Sequence, residues 1–321
     1  LNLDAVALGE ILIDMIPLEI GNYTKVKAFS MNFGGAPFNY AIALSRLGRK
    51  VGAICAVGDD PFGNFLITTL RKEGIDTTHI LIKKARTSLA FVVRHPEGER
   101  SFFFYRKPWV NTADTEIESK DIDLNYVGTA KILHVSGVIL SHEPARSSVL
   151  KTMESVRKLG VKTSFDVNLR LDIWESRSEL NRVYEQAFNN SDILLISHDE
   201  ARDLLNLDDP SKISEYFIEK YNPEIVAVKL GAKGSYVRYR NGLEIFKEAF
   251  KVRVIDTNGA GDAWAAGFEL GMLENREPEE SIVIANAVGA LTVTKIGAIT
   301  ALPTREELKN FLNKKGINIK L

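Results

Sequence analysis

Along the chain, short unbroken apolar runs alternate with stretches whose apolar positions recur every three or four residues. Ala5 to Ile13 is almost wholly apolar and predicts one strand, and Val51 to Val57, Ile132–Val135, Lys162–Asp166, Ile193–Ser197 and Ile225–Leu230 predict others. Pro37 to Leu47 predicts a helix, with Pro in its first turn and Gly48 just past its end. Pro61 to Glu73 predicts a second, with Phe62, Phe65, Leu66, Thr69 and Leu70 along one face and Gly74 as its stop. Glu143–Leu159 and Arg177–Ala187 predict two more. Strands apolar on both faces, alternating with helices, imply an α/β fold: a mostly parallel sheet with helices on both faces.

Two segments break this rhythm. Tyr23 to Phe33 is extended in character, and Thr87 to Tyr105 predicts a hairpin with arms Ser88–Arg94 and Arg100–Tyr105, joined by His95-Pro-Glu-Gly-Glu99. A second hairpin, Ser235–Arg240 with Glu244–Lys247, turns at Asn241-Gly242. We therefore expect a large α/β domain over 1–13, 34–82 and 115–321, and a small β-sheet lid over 14–33 and 83–114. In Arg100-Ser-Phe-Phe-Phe-Tyr105 both faces carry aromatics. Either both pack within this chain, or one covers a site while the other meets a second copy in a homodimer.

Composition removes whole classes of function. With 321 residues, 45% hydrophobic and 26% charged, the chain can bury a large core and is not globally disordered. Lys plus Arg number 41 against 42 Asp plus Glu, so there is no basic excess to neutralise nucleic-acid phosphates. The single cysteine, Cys55, lies in an apolar run and reads as inert packing, and the five histidines show no zinc spacing. The longest mildly apolar stretch, Ile282 to Thr294, is interrupted by Asn286 and is too short to span a bilayer. Leu1 to Ile16 carries acids and no basic region, unlike a secretion signal. A cytoplasmic protein with no membrane partner is expected.

The strongest local signal is Val254-Ile-Asp-Thr-Asn-Gly-Ala-Gly-Asp262, followed by a helical pattern. Gly259, Ala260 and Gly261 are placed so that backbone N–H groups converge on an anion at the positive end of a helix dipole. Asp262, one step further on, would repel that anion unless it has a task. The natural task is to accept the proton of an attacking hydroxyl while the N–H groups hold phosphoryl oxygens. The alternative makes Asp256 and Asp262 helix caps and the glycines a tight turn.

Asn32-Phe-Gly-Gly-Ala-Pro-Phe-Asn39 also opens a helix on two glycines, Gly34 and Gly35. Asn39 offers both donor and acceptor, as a hydroxyl-rich ligand requires, unless this is a plain loop-to-helix junction. Asp14 follows the first strand, where α/β sheets present ligand-binding residues, or is a solvated loop acid. Asp166, Asn168 and Arg170 share a face if the chain there stays extended, which suits a site wall better than a core. Glu200, at a helix start, could help hold a hydrated metal or simply cap the helix. Lys229-Leu-Gly-Ala-Lys-Gly234 is glycine-rich but weak alone, and His134, His142 and His198 read as structural or surface residues. No Gly-x-Gly-x-x-Gly follows the first strand and no P-loop motif is present, which removes dinucleotide dehydrogenases and P-loop kinases.

In this order and spacing the motifs resemble the ribokinase-like (PfkB-type) carbohydrate kinases over essentially the whole chain. The match runs from Gly9-Glu10 and Asp14 through Gly34-Gly35, Asn39 and Gly58-Asp-Asp-Pro-Phe-Gly63 to Asp256 through Asp262. Gly34-Gly-Ala-Pro-Phe-Asn39, Thr87-Ser-Leu-Ala-Phe-Val92, Gly98 to Arg106 and Asp166 to Trp174 look most like fructokinase segments. The 2-keto-3-deoxygluconate kinases share several of these, so Tyr105, Arg106 and Arg170 do not decide between the two. A nucleoside kinase suits Arg106 less well, and a sensor that kept the fold would not need Asp262.

The resemblance implies a ribokinase-like, Rossmann-type α/β domain with a β-sheet lid, Mg-ATP as donor, Asp262 as base, and Gly259, Ala260 and Gly261 as anion hole. It implies a sugar site lined by Asp14, Gly34, Gly35, Asn39, Tyr105, Arg106, Asp166, Asn168 and Arg170. Lys229, Gly231, Gly234 and Asn286 would lie along the nucleotide, and Glu200 beside the metal. A monovalent cation such as K⁺ is common in the family, here near Asp256 and Lys295-Ile-Gly297. Three departures stand out. Asn258 replaces a usual Thr, Ser197 replaces the Asn of an Asn-x-x-Glu motif, and Lys107 to Asp114 is longer than the usual segment, which bears on the sugar.

Overall fold

The computed structural model describes residues 2–94 and 100–321; the turn expected at His95–Glu99 lies outside the described residues. Thirteen strands are described. They are β1 Ala5–Leu8, β2 Leu12–Pro17, β3 Phe29–Gly34, β4 Val51–Gly58, β5 Asp76–Lys83, β6 Ser88–Arg94, β7 Arg100–Tyr105, β8 Ile132–Ser136, β9 Lys162–Asp166, β10 Ile193–Ser197, β11 Ile225–Lys229, β12 Ser235–Tyr239 and β13 Glu244–Lys247.

Nine of them form one sheet in the order β13-β12-β11-β10-β9-β8-β1-β4-β5. It is parallel except at the β11–β12 and β12–β13 pairs, the hairpin that turns near Asn241-Gly242. Parallel strands need crossovers that lay helices on both faces, so the central strands must be apolar all round. All eight residues of β4 are buried accordingly. One face packs Leu133, Phe165, Leu180 and Phe188; the other packs Phe38, Ile42, Trp264 and Phe268. Cys55 lies buried in β4, where desolvation pushes its thiol far up, as expected of inert packing.

The remaining strands form a separate sheet in the order β3-β2-β6-β7. Here the expectation of a single strand over Ala5–Ile13 fails. The run divides at Gly9–Ile11, so that β1 pairs with β4 and β8 while β2 pairs with β3 and β6 in the other sheet. Continuous apolarity reports burial on both faces, not which partner a strand takes. The polar residue inside the run, Glu10, marks the crossing point.

Two helices carry the groups that matter most below, Ala36–Arg46 and Ala260–Leu273. They are joined through the core, where Tyr40 donates to the buried Glu269 carboxylate at 2.5 Å and Ser164 of β9 donates to its other oxygen at 2.6 Å. The mildly apolar Ile282–Thr294 stretch belongs to helix Pro278–Thr292, packed on Ala260–Leu273. Among the described residues no helix is long and apolar enough to cross a membrane. The helix expected over Glu143–Leu159 is α-helical from Ala145 to Val156, and helices Pro210–Tyr221 and Arg305–Lys314 and the half-exposed edge strand β5 were not anticipated.

Candidate active site

Strand order reverses between β8 and β1, and α/β sheets bind ligands beyond the carboxyl ends of their strands at such a point. A cavity of about 1510 Å³ opens there. Its wall takes Asp166, Ser197 and Lys229 from the ends of β9, β10 and β11, and Glu10 from just past β1. The small sheet contributes Leu12, Asp14, Ala90, Phe102 and Phe104.

Asp262 stands in the first turn of helix Ala260–Leu273 and lines this cavity together with Gly259, Ala260 and Gly261. Gly259 caps the helix at φ 74°, in the left-handed region, where an alanine would also crowd Ala298 at 3.0 Å. The carboxylate accepts a hydrogen bond from Asn39 Nδ2 at 2.9 Å. Burial, with the Asp166 charge, lifts the acid to about 6, while the Asn39 bond, Lys229 and His134 pull it back. Asn39 is presented by helix Ala36–Arg46, which begins at Gly35. That glycine has φ 109°, and a Cβ there would meet Glu10 O at 2.6 Å. The other end of the Asn39 amide, Oδ1, is buried with no protein partner. Buried acceptors are rarely left so, and one on a cavity wall suits a ligand hydroxyl.

Asp14 projects from β2 and accepts from Asn258 Nδ2 at 3.3 Å. Burial is the main cause that lifts it to about 7. Asn258, one of the sequence departures, therefore reaches an acid that the shorter Thr could not. Behind it, Asp256 is buried off the cavity wall and accepts from Asn258 N at 2.8 Å and Gly297 N at 2.9 Å. The fold thus brings together the two segments expected beside a monovalent cation.

Asp166, Asn168 and Arg170 all line the cavity, but not for the reason the sequence offered. The strand ends at Asp166 and Asn168 has φ 37°, so the chain is not extended and the three do not share a strand face. Asp166 accepts from Lys229 Nζ at 2.7 Å, and the Arg170 guanidinium lies 5.7 Å over the Phe102 ring.

Several expected residues are elsewhere. Tyr105 is 51% exposed on the outer face of the small sheet. Arg106 is fully enclosed, donating from Nε to Asp114 at 2.6 Å and from Nη1 to Ser141 at 2.6 Å. A guanidinium of this size is buried only with a carboxylate to neutralise it, and Asp114 takes that part. Neither residue is on the cavity wall. Gly34 lies behind Asp14, leaving room for its carboxyl. Lys229, Gly231, Gly234 and Asn286 do line the cavity, yet Asn286 is a strut. Its Oδ1 accepts from Ser235 and Trp264, and its Nδ2 donates to Lys247 O and Glu248 O. Glu200 caps its helix, with one oxygen taken by Leu169 N at 2.9 Å and the other by Ser197 N at 2.8 Å.

The residue that sequence reasoning passed over as a wall group is Glu10. It is 1% exposed, accepts from Ser136 Oγ at 2.9 and 3.1 Å, and is lifted by burial to about 7. Its signal was present: a carboxylate in the middle of an apolar run. Among the described residues no group of three or more His, Cys, Asp or Glu stands together to cage a metal.

The sequence matches the profile of the pfkB family carbohydrate kinases over residues 2–305. The chain belongs to this family. Its sequence relatives include a probable fructokinase-4 of Arabidopsis thaliana, 35% identical over 96% of each chain. Another is fructokinase-2 of Solanum lycopersicum, 35% identical over 96% of this chain and 95% of the relative. A fructokinase of Vibrio cholerae, solved in a fructose, ADP and calcium ion bound form, superposes with TM-score 0.85 at 30% identity, covering 97% and 99% of the two chains. A sugar kinase of Pyrococcus horikoshii solved with ATP gives TM-score 0.84 at 32% identity over 96% and 100%. This sugar kinase therefore has the ribokinase-like fold expected of it, including the small second sheet.

The Arg106–Asp114 pair yields a test of the relocation. Asp114→Ala strands a buried guanidinium and is expected to cost about 3–5 kcal/mol in urea unfolding, with part of the loss recovered by adding Arg106→Met. A loss below about 1 kcal/mol would mean that Arg106 is free to leave its enclosure for a ligand.

Proposed function

We propose that this kinase transfers the γ-phosphoryl group of ATP to the terminal hydroxyl of fructose, with Asp262 as general base. The observation that carries the reading is Asp262 itself, facing a nucleotide-sized cavity at a helix N-terminus and held by Asn39. A carboxylate near 6 is mostly ionised at neutral pH yet basic enough to take a proton as charge develops on the hydroxyl.

The sugar lies against Asp14, Asn39, Asn168 and Arg170, where the free Asn39 Oδ1 accepts one of its hydroxyls. The small sheet, over 14–33 and 83–114, acts as a lid whose Phe102 and Phe104 exclude water that would otherwise hydrolyse ATP. Asp262 aligns the attacking hydroxyl and receives its proton, while the N–H groups of 259–261 face the transferring phosphoryl oxygens. Because the transition state is loose, position and charge contribute more than base strength. Glu200 has both oxygens committed and Asp166 holds Lys229, so the protein offers no ready magnesium cage. A magnesium ion would be held mainly by the nucleotide phosphates, and would supply charge neutralisation there. K⁺ beside Asp256 is supported by that residue's closure on Gly297 and by a Vibrio cholerae fructokinase variant solved in a fructose, ADP and potassium ion bound form.

A neutral ketose is favoured over 2-keto-3-deoxygluconate by the charges on the wall. With Arg106 enclosed beside Asp114 and Tyr105 outside, Arg170 and Arg202 are the arginines among the described residues on the cavity wall, which also carries Glu10, Asp14 and Asp262, and Arg170 acts on Asp14. The outer face of the lid, with Met31, Phe103 and Tyr105 exposed around Tyr23, Phe29 and Phe91, supports a homodimer through that sheet.

Asp262→Asn is expected to lower turnover at least about 100-fold, with sugar binding retained by calorimetry. Near-wild-type turnover would remove Asp262 from the chemistry. For the wild type, kcat/KM should rise with pH between about 6 and 7 as Asp262 and Asp14 lose their protons, and be lost below that range. A sugar panel with ATP should place fructose first by kcat/KM; a clear preference for the acid sugar defeats the fructose assignment alone. Sedimentation at micromolar concentration should give a dimer, and a strict monomer would remove that part.

A further inference from the structure

We propose that Lys229 is a catalytic residue, its ammonium standing at the anion hole to take charge from the transferring γ-phosphoryl group, with Asp166 as its positioning partner. This rests on the phosphotransfer reading above and adds to it a cation that acts on the reacting atoms rather than merely lying along the nucleotide.

Lys229 is the last residue of β11 and its side chain reaches into the cavity. Its Nζ donates to Asp166 Oδ2 at 2.7 Å, and the two side chains are 14% and 4% exposed. A nearly buried pair of this kind adds little net stability, because desolvation offsets the attraction and apolar packing would serve as well. What distinguishes this pair is its other side. The position that a Cβ on Gly261 would occupy is 3.3 Å from Lys229 Nζ. A side chain at 261 would therefore crowd the ammonium, which stands close beside this glycine of the anion hole.

Asp166 is the one hydrogen-bond acceptor of the ammonium among the described residues, although Nζ carries three N–H donors. Donors remain for phosphoryl oxygens. The Asp166 bond fixes the ammonium at the hole before the nucleotide arrives, which removes the cost of reorganising it during reaction. Burial pulls the lysine down, but the carboxylates of Asp166, Glu200 and Asp262 more than offset this and keep it above the ordinary lysine value. It is therefore charged throughout the working range.

The step balances without a second proton donor. The sugar oxygen forms its bond to phosphorus and passes its proton to Asp262. The bond from phosphorus to the bridging oxygen breaks, and its electron pair leaves with ADP. Lys229 keeps its proton and supplies charge only.

The pair also sets the base from both sides. Beyond burial, which raises Asp262 most, the Asp166 charge raises it further and Lys229 opposes this. A lysine present only to neutralise Asp166 predicts that removing both charges restores function; a lysine acting on phosphoryl oxygens predicts that it does not.

The test compares Lys229→Met, Asp166→Asn and the double variant in sugar-dependent ADP release, with folding followed by thermal melting. Lys229→Met should lower kcat about 100- to 1,000-fold, as for loss of one donor to a developing oxyanion, with the sugar KM little changed. Its acid limb in kcat/KM should move to higher pH, and that of Asp166→Asn to lower pH. The double variant should melt near wild type yet stay slow. Turnover near wild type in the double variant, or an acid limb that does not move in Lys229→Met, overturns the proposal. If the wild type releases no ADP in response to any sugar, the phosphotransfer reading itself fails, which is a different result.

Discussion

Two hydrogen bonds between one pair of helices hold the chemistry in place. Asn39 donates to Asp262 and Tyr40 donates to Glu269. Asp262 and Glu269 are two helical turns apart, so they project from nearly the same face of helix Ala260–Leu273. One contact lies at the cavity and the other in the core. The core contact is anchored further by Ser164 and by His134, whose ring stacks on Tyr40. A carboxylate held by one bond, on a helix tied down again two turns further on, can stay in a poorly solvated place without turning away, as the proposed base requires.

The same crowding sets the electrostatics. Glu10, Asp14 and Asp262 share one cavity with Asp166, and each of the three is lifted because burial disfavours its charged form. Each is also steadied by a neutral donor: Ser136 for Glu10, Asn258 for Asp14, Asn39 for Asp262. Amides and hydroxyls orient a carboxylate without neutralising it, so burial still leaves all three raised. Arg106 serves in a different way, locked to Asp114 with Ser88 and Thr112 completing that acid's shell. Its guanidinium lies inside the wall, where Nη2 has no hydrogen-bond partner among the described residues and the charge acts on Glu10.

Much of the architecture was legible because it depends on local chemistry. The runs at Val51, Ile132, Lys162, Ile193 and Ile225 became strands, and Asp60 and Ser176 cap helices as their side chains allow. The Gly259–Asp262 and Gly35–Asn39 segments were recognisable since a glycine at positive φ ahead of a helix has few uses. Less legible were the residues whose meaning depends on a distant partner. Glu10 looked like part of a strand, Arg106 and Tyr105 looked like site residues from the family resemblance, and the four hydrogen-bond partners of Asn286 on the cavity wall could not be read from the sequence. Glu200 offered a metal reading and a capping reading, and the structure shows the capping contacts.

The sequence by itself determined the class of fold, the family and the two helix-opening glycine segments. Periodicity, propensity and backbone permissiveness act within a few residues, and the family motifs are read in the same local terms. Only the tertiary structure decided that the run from Ala5 divides between two sheets, that Arg106 is sealed behind the wall, and that Lys229 and Asp166 meet beside Gly261. These are matters of pairing between residues from 8 to more than 100 positions apart. Nothing in the local chemistry of either partner specifies its distance or direction to the other; packing of the whole chain does.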